Sequence, residues 1–357
     1  MKQITILGVA LLSSVVTFSQ ENKGEVNQEG NDNLATVDQI LTQNDAKIEQ
    51  FGDANIASTL QSGVLNASNV YQLGANNAAF TEQIGSGNAN QTDQNGVANT
   101  SYISQKSDIN YASVTQIGDE NSSNIDQLSM GAPAIHPSGF TNGAIVSQEG
   151  NNNVSNIAQA GDDDIALIVQ QGNANSSDVL QEGDSHGSWI TQVGDNNLNT
   201  AVQTGGFQAN FVTQLGNGNG AEVYQSGKAN YSEIIQNNDI NYSSILQDGA
   251  NNQSFVSQTS LGAPAVHPSG YSNGVILEQR GEGNAASTVQ VADDAISLVI
   301  QGGNGNLSDI VQEGYGQGSW VTQFGEGNQN TIYQGGTFNS AVVNQLGNRN
   351  VSQINQQ

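Results

Sequence analysis

The chain has 357 residues, with 7 basic side chains against 33 acidic ones and a formal net charge of −26. That balance excludes a nucleic-acid partner, because nothing would neutralise phosphates; acidity of this size serves solubility and like-charge repulsion. Cys is absent, so no disulfide contributes to stability.

The N-terminus carries Lys2, an apolar run from Ile4 to Val16, and then Thr17, Phe18 and Ser19. This predicts a secretory signal peptide over residues 1–19, cut near Ser19/Gln20. The run is too short for a spanning helix, and no later segment offers one, so no transmembrane segment is expected. No Cys follows it to carry a lipid anchor.

From Gln28 the chain is periodic. Glutamine recurs every eleven residues, at Gln28, Gln39, Gln50, Gln61, Gln72 and onward to Gln127. It resumes at Gln148, passes Gln170 and reaches Gln258, then runs from Gln279 through Gln345 to Gln356. All 29 positions hold Gln, so the chain reads as one array of stacked units over residues 20–357 rather than as separate domains. Counting a Gln as position 0, position 2 is usually Gly (Gly30, Gly52, Gly74, Gly150, Gly336) and position 5 usually Asn (Asn33, Asn55, Asn77, Asn153, Asn339). Position 7 is mostly Ala or Ser and position 9 mostly Val or Ile. The unit is Gln-x-Gly-x-x-Asn-x-[Ala/Ser]-x-[Val/Ile]-x-Gln.

Positions 5, 7, 9 and 11 alternate with the period of a strand, so their side chains share one face. Position 8 varies freely (Phe80, Gln91, Tyr102, Trp189), which places the variable face outside. The x-Gly-x-x stretch reads as a tight arc. A lone buried amide is costly, but amides stacked at about 4.8 Å can bond one another in ladders. The expected fold is all-β: an amyloid-like β-solenoid of two facing parallel sheets, with about 22 residues per rung and a column roughly 70 Å long. A triangular 33-residue rung is the alternative, which a four-residue arc suits less well.

Two steps are longer than eleven. The strands on either side stay intact, and the arc grows from four residues to fourteen, over 128–141 and 259–272. Nine of the fourteen positions are identical in the two loops, and they hold Pro133, Pro137, Pro264, Pro268, His136 and His267. The loops are 131 residues apart, as are Trp189 and Trp320, which implies an internal duplication. An offset of eleven units, an odd number, sets the loops on opposite edges, about 26 Å apart along the axis. A lateral contact or adhesive tip competes with an insertion tolerated on a turn.

Other chemistry is sparse. Asp162-Asp-Asp164 and Asp293-Asp294 suit a hard cation in type, but they lack the glycine-rich repeat of calcium rolls. Solvated turn carboxylates are expected instead, with no metal, no cofactor and no catalytic residue. On opposite edges, His136 and His267 cannot share a metal. Outward aromatics such as Tyr102, Trp189, Phe211, Tyr231 and Trp320 look scattered. No acid–base pair converges in a groove, so an enzyme is not expected.

The unit resembles the curlin repeat, Ser-x5-Gln-x-Gly-x-x-Asn-x-Ala-x3-Gln. Gln50-Phe-Gly-Asp-Ala-Asn55-Ile-Ala57-Ser-Thr-Leu-Gln61 fits its second half at every fixed place, as does Gln334-Gly-Gly336-Thr-Phe-Asn339-Ser-Ala341-Val-Val-Asn-Gln345. The resemblance covers essentially the whole chain after the signal peptide. It implies a subunit secreted to the surface of a bacterium with an outer membrane, which polymerises into extracellular fibres of a biofilm matrix. Partners would be further copies, a nucleator subunit and curli-type secretion machinery. Here Asn opens nearly every strand where the family alternates with Ser, and no non-repeat secretion segment precedes the pattern. The pattern also runs between both ends without a polar capping unit, the arrangement expected of a stacking template. A monomeric surface adhesin is the alternative. An ice-binding array is disfavoured by the irregular position 8 (Thr36, Lys47, Ser58, Asn69, Phe80).

Overall fold

Alternation of inward and outward residues decides the architecture. The computed structural model describes residues 21–130, 140–262 and 270–357, and the signal segment at 1–19 lies outside them. Among the described residues there is no helix, only short parallel strands. They run from β1 (Lys23–Glu29), β2 (Leu34–Ile40), β3 (Asp45–Asp53) and β4 (Ile56–Val64) to β28 (Ser340–Leu346) and β29 (Val351–Gln356).

Odd-numbered strands form a 15-stranded sheet and even-numbered strands a 14-stranded one, each in strict chain order. Away from the two long steps, each strand residue pairs with the one 22 positions on, as in Gln28↔Gln50 and Gln50↔Gln72. The rung is therefore two strands, and the triangular alternative is excluded.

Strand β4 shows the sorting directly: Ala57, Thr59 and Gln61 are buried, while the residues between them are at least partly exposed. Between the sheets run two rails of small and branched side chains, among them Ile48, Val70, Ile103 and Val114, all fully buried. Fully burying one such Val or Ile contributes about 1.5–3 kcal/mol, and no Pro interrupts the described strands.

The arc differs from expectation in two ways. First, position 5 mostly stands just outside the strand: Asn55 is buried, but it precedes β4 as the last residue of the turn, whereas Asn110, Asn142, Asn241 and Asn273 open theirs. Second, the arc needs two left-handed residues rather than one. Gly52 has φ +111 and Ala54, at position 4, has φ +54. Position 4 is often Gly, Asn or Asp, as at Gly87, Asn76 and Asp32, which suit this region, but Leu65, Ile109, Phe207 and Ile240 also hold φ near +60 there, where their side chains resist it. Stacking holds them: the Ala54 N–H donates to Asn31 O of the preceding rung at 2.8 Å, and Ile109 N–H to Ser86 O at 2.9 Å.

Both 21-residue steps keep the ladder aligned. Strand β10 (Ser122–Leu128) leads through the first loop to β11 (Asn142–Glu149), whose Gln148 pairs with Gln116. Strand β21 (Gln253–Thr259) leads through the second to β22 (Asn273–Glu282), whose Gln279 pairs with Gln247. The first loop crosses from the 14-stranded to the 15-stranded sheet and the second crosses back, so their bases stand on opposite edges. The loop centres at 131–139 and 263–269, with all four prolines and both His136 and His267, lie outside the described residues.

A methyl group on Gly52 would run into the carbonyl of Gly74 in the next rung, whereas one on Gly274, in extended backbone, would meet nothing within 4 Å. We expect Gly52→Ala to destabilise its arc by at least about 2 kcal/mol, seen as faster amide exchange around Asp53–Asn55. Gly274→Ala should leave exchange unchanged.

Candidate functional site

The chemistry of the rod is its stack of primary amides. Gln50 donates from Nε2 to Oε1 of Gln72 at 2.8 Å, and Gln72 to Gln94 at 2.8 Å. The same bond links Gln28 to Gln50, Gln39 to Gln61, Gln148 to Gln170, Gln279 to Gln301 and Gln323 to Gln345, at 2.6–2.9 Å. The second Nε2 hydrogen crosses to the other sheet: Gln50 donates to Leu34 O at 3.1 Å and Gln72 to Ile56 O at 2.9 Å. One residue thereby ties rung to rung and sheet to sheet, a role the alternation alone does not reveal.

Asparagine forms a second ladder, of opposite sense. The backbone N–H of Asn77 and its Nδ2 both donate to Oδ1 of Asn55 at 3.1 Å, one rung earlier. The Asn55 N–H donates likewise to Asn33 at 2.9 Å, and Asn153 Nδ2 to Asn121 at 3.1 Å. Nδ2 also reaches forward to the arc glycine: Asn33 donates to Gly52 O at 2.7 Å, Asn55 to Gly74 O at 3.0 Å and Asn121 to Gly150 O at 2.7 Å. Gly30 keeps the same conformation, with φ +118. Where both ladders run, a rung therefore presents Gln donors and Asn acceptors on its C-terminal face, and Gln acceptors and Asn donors on its N-terminal face.

Asn339 does not extend this ladder. The residue one rung before it is Gln317, which donates to Gly336 O at 2.9 Å, and Asn339 Nδ2 turns back to Gly335 O at 2.6 Å. The departures from Asn at position 5 are Asp164, His186, Gln208, Ala295 and Gln317. All lie in the rungs that follow an expanded turn, and this clustering was the available sequence signal of a specialised region.

The acidic pairs correct the expectation of solvated carboxylates. Asp162 and Asp293 are 5% exposed and Asp164 is fully buried. Asp162 Oδ1 accepts the Met130 N–H at 2.9 Å, at the base of the first loop. Asp293 Oδ1 accepts the Leu261 N–H at 2.7 Å and the Ser272 hydroxyl at 2.9 Å, at the base of the second. They anchor the loops. Among the described residues, no group of three or more His, Cys, Asp or Glu is placed to hold a metal ion.

Asp164 occupies an asparagine position, and its Oδ1 accepts the His186 N–H at 3.0 Å. Burial pushes its carboxyl up to about 7; that backbone bond opposes the rise, while Asp184, Asp162 and Asp163 add to it. Burial likewise holds His186 below the usual histidine range, opposed by its bond to Glu182 O and by Asp184.

The aromatics are not scattered either. Trp189 stacks on Phe211 at 4.6 Å and 6°, and Phe211 packs against Tyr231 at 5.6 Å. Tyr111 meets Phe140 at 5.1 Å, and Tyr242 meets Tyr271 at 5.0 Å.

These features define an amyloid-like β-solenoid: a repeat rod of about 14 turns, closed by amide ladders. Residues 20–52 match the family model described as the curlin associated repeat, which supports assignment to a curlin-repeat family. No curated protein matches the chain.

Because the folded value of Asp164 is raised above its ordinary 3.8, its contribution to stability is complete below that value and is lost as pH rises through about 7. His186 acts oppositely: its contribution is present above 6.5 and is lost as pH falls through its lowered value. Asp164→Asn restores the ladder residue. It should slow amide exchange in the Asp162–His186 segment at pH 8, by the equivalent of about 1–4 kcal/mol, and change little at pH 4.

Proposed function

We propose that this chain is a secreted structural subunit that stacks head to tail into curli-like extracellular amyloid fibres, serving a biofilm matrix and adhesion. The observation that carries this reading is the polarity of the two ladders. A C-terminal rung face set on an N-terminal face brings Gln Nε2 to Gln Oε1 and Asn Oδ1 to the Asn N–H groups, as inside the rod. Two like faces would set donor against donor and acceptor against acceptor, and each buried orphan costs about 1–3 kcal/mol. The stack thus favours one growth direction and one register. A nucleator subunit and curli-type secretion machinery are the partners this reading calls for. A monomeric surface adhesin is the second reading, favoured by the clustered aromatics on the outer faces.

Dilution of the purified mature chain from denaturant, followed by thioflavin fluorescence and electron microscopy, separates the two. Seeded fibre growth at micromolar concentration is expected. A chain that stays monomeric with and without seeds would sink the polymer reading. Replacing Gln50, Gln72 and Gln94 together by Leu should slow assembly by roughly tenfold or more, given the amide groups left unpaired. Unchanged kinetics would show that the ladder does not drive stacking.

A further inference from the structure

Two clefts of about 270 Å³ open on the outer surface of the rod, and the residues lining them are related by the 131-residue duplication. The first has Tyr111, Phe140 and Trp189 as walls over a floor of Gly143, Ile165 and Leu167. It spans β9 (Asn110–Ile117), β11, β13 (Asp164–Gln171) and β15 (Gly187–Val193). The second has Tyr242, Tyr271 and Trp320 over Gly274, Ile296 and Leu298, across β20 (Asn241–Ala250), β22, β24 (Ala295–Asn304) and β26 (Gly318–Glu326). The first set belongs to the 15-stranded sheet and the second to the 14-stranded one, so the clefts face in opposite directions.

Both copies keep the apolar floor and the aromatic walls. Five of the six residues named for each cleft are identical, and the sixth is Phe140 or Tyr271. The remaining differences inside the clefts fall at Thr141/Ser272, Asp164/Ala295 and Ala166/Ser297. On the flanking strands Gln91 becomes Glu222 and Phe211 becomes Val342. On the opposite face of the same rungs Asn124 becomes Phe255 and Asn156 becomes Ser287. Outward positions of the strands are free to vary, as these are, so packing of the rod does not by itself require the shared aromatic walls. Gly143 and Gly274 make the hollow: each sits in a strand column of side chains, and a Cβ there would meet nothing within 4 Å.

The lining defines the ligand. Asp164 in the first cleft is replaced by Ala295 in the second, so a ligand common to both is not recognised by charge, and the net charge of −26 repels anions. The floor is apolar, the ends are aromatic, and the phenols of Tyr111, Tyr242 and Tyr271 supply the polar groups. An apolar floor with a few polar groups around it suits a ring with apolar C–H faces and equatorial hydroxyls. We propose that both clefts are carbohydrate-binding sites, each taking a hexopyranose unit of a neutral polysaccharide. Sites on opposite faces let one rod bridge two glycan chains, and repetition along a fibre turns weak single contacts into avidity. The sites belong to the single chain and do not depend on polymerisation.

The chain has only two tryptophans, one in each cleft, so intrinsic fluorescence reads both sites and nothing else. Titration of the full mature chain with cellohexaose should change the emission saturably in the millimolar range. Gly143→Val with Gly274→Val should fill the hollows, weaken binding at least tenfold and reduce retention on microcrystalline cellulose. Circular dichroism and thioflavin-monitored assembly should be unchanged, which separates this result from any failure of the fibre reading. No saturable change, or equal binding by the filled variant, overturns the proposal. Loss of lateral fibre bundling in the filled variant without any loss of sugar binding also overturns it, assigning the clefts to a second copy of the chain.

Discussion

Everything in this rod depends on one constraint: buried primary amides must find partners at the strand repeat. A Gln side chain in the interior has two N–H donors and a carbonyl acceptor, and leaving them dry and unpaired is expensive. Gln50 meets the requirement by bonding the Gln of the next rung and a carbonyl of the facing sheet. The first bond fixes register, because a slip of one residue would turn every amide to the solvent face. The second fixes the distance between the sheets, because the side chain has one length. The small Ala/Ser residues and the Val/Ile rail then fill the remaining width, as Ala57 and Ile48 do without any exposure.

The same constraint explains what the arcs tolerate. Ladder asparagines such as Asn33 and Asn55 collect the next rung's backbone N–H and reach forward to the next glycine carbonyl, so a turn is held by its neighbours more than by its own sequence. Ile109 and Phe207 can therefore sit in the left-handed region, at a strain cost of about 1–2 kcal/mol each. Ten extra residues can also enter an arc without disturbing the strands beyond it, since Gln148 still receives its bond from Gln116. The requirement falls on the ladder and not on the length of the connection.

Much of this was legible in the sequence, because a period of eleven with alternating character admits few structures. The two-strand rung, the buried Gln and Asn and the position of the expanded turns all follow from residue spacing. Position 4 was harder to read because its left-handed conformation is held by stacking, so that Gly, Asn and Asp share the place with residues such as Ile109 and Phe207 that carry no turn signal. The aromatic contacts were hidden for a different reason. Trp189 and Phe211 are distant in sequence and become neighbours only when residues 22 apart are superposed; across an expanded turn the interval is 32, as between Tyr111 and Gly143. The buried aspartates were misjudged because acidic turn residues are usually solvated. That Asp164 replaces an asparagine of the ladder is the feature that places it inside.

The rungs that follow the loops show how a uniform stack acquires individuality. There the asparagine column runs Asn142, Asp164, His186, Gln208 on one edge, and Asn273, Ala295, Gln317, Asn339 on the other. In this column the acceptors Asp164 Oδ2, Gln208 Oε1 and Gln317 Oε1 are buried without partners. A sequence under pressure only to stack would have kept asparagine, whose side chain satisfies every neighbour. Local stability has instead been given up beside the duplicated loops, on the rungs that form the aromatic clefts, and this has happened twice. Departures from an otherwise consistent pattern are where function is expected to reside. The ladder supplies the rod, and its interruptions mark the surfaces by which one rod differs from any other stack of the same unit.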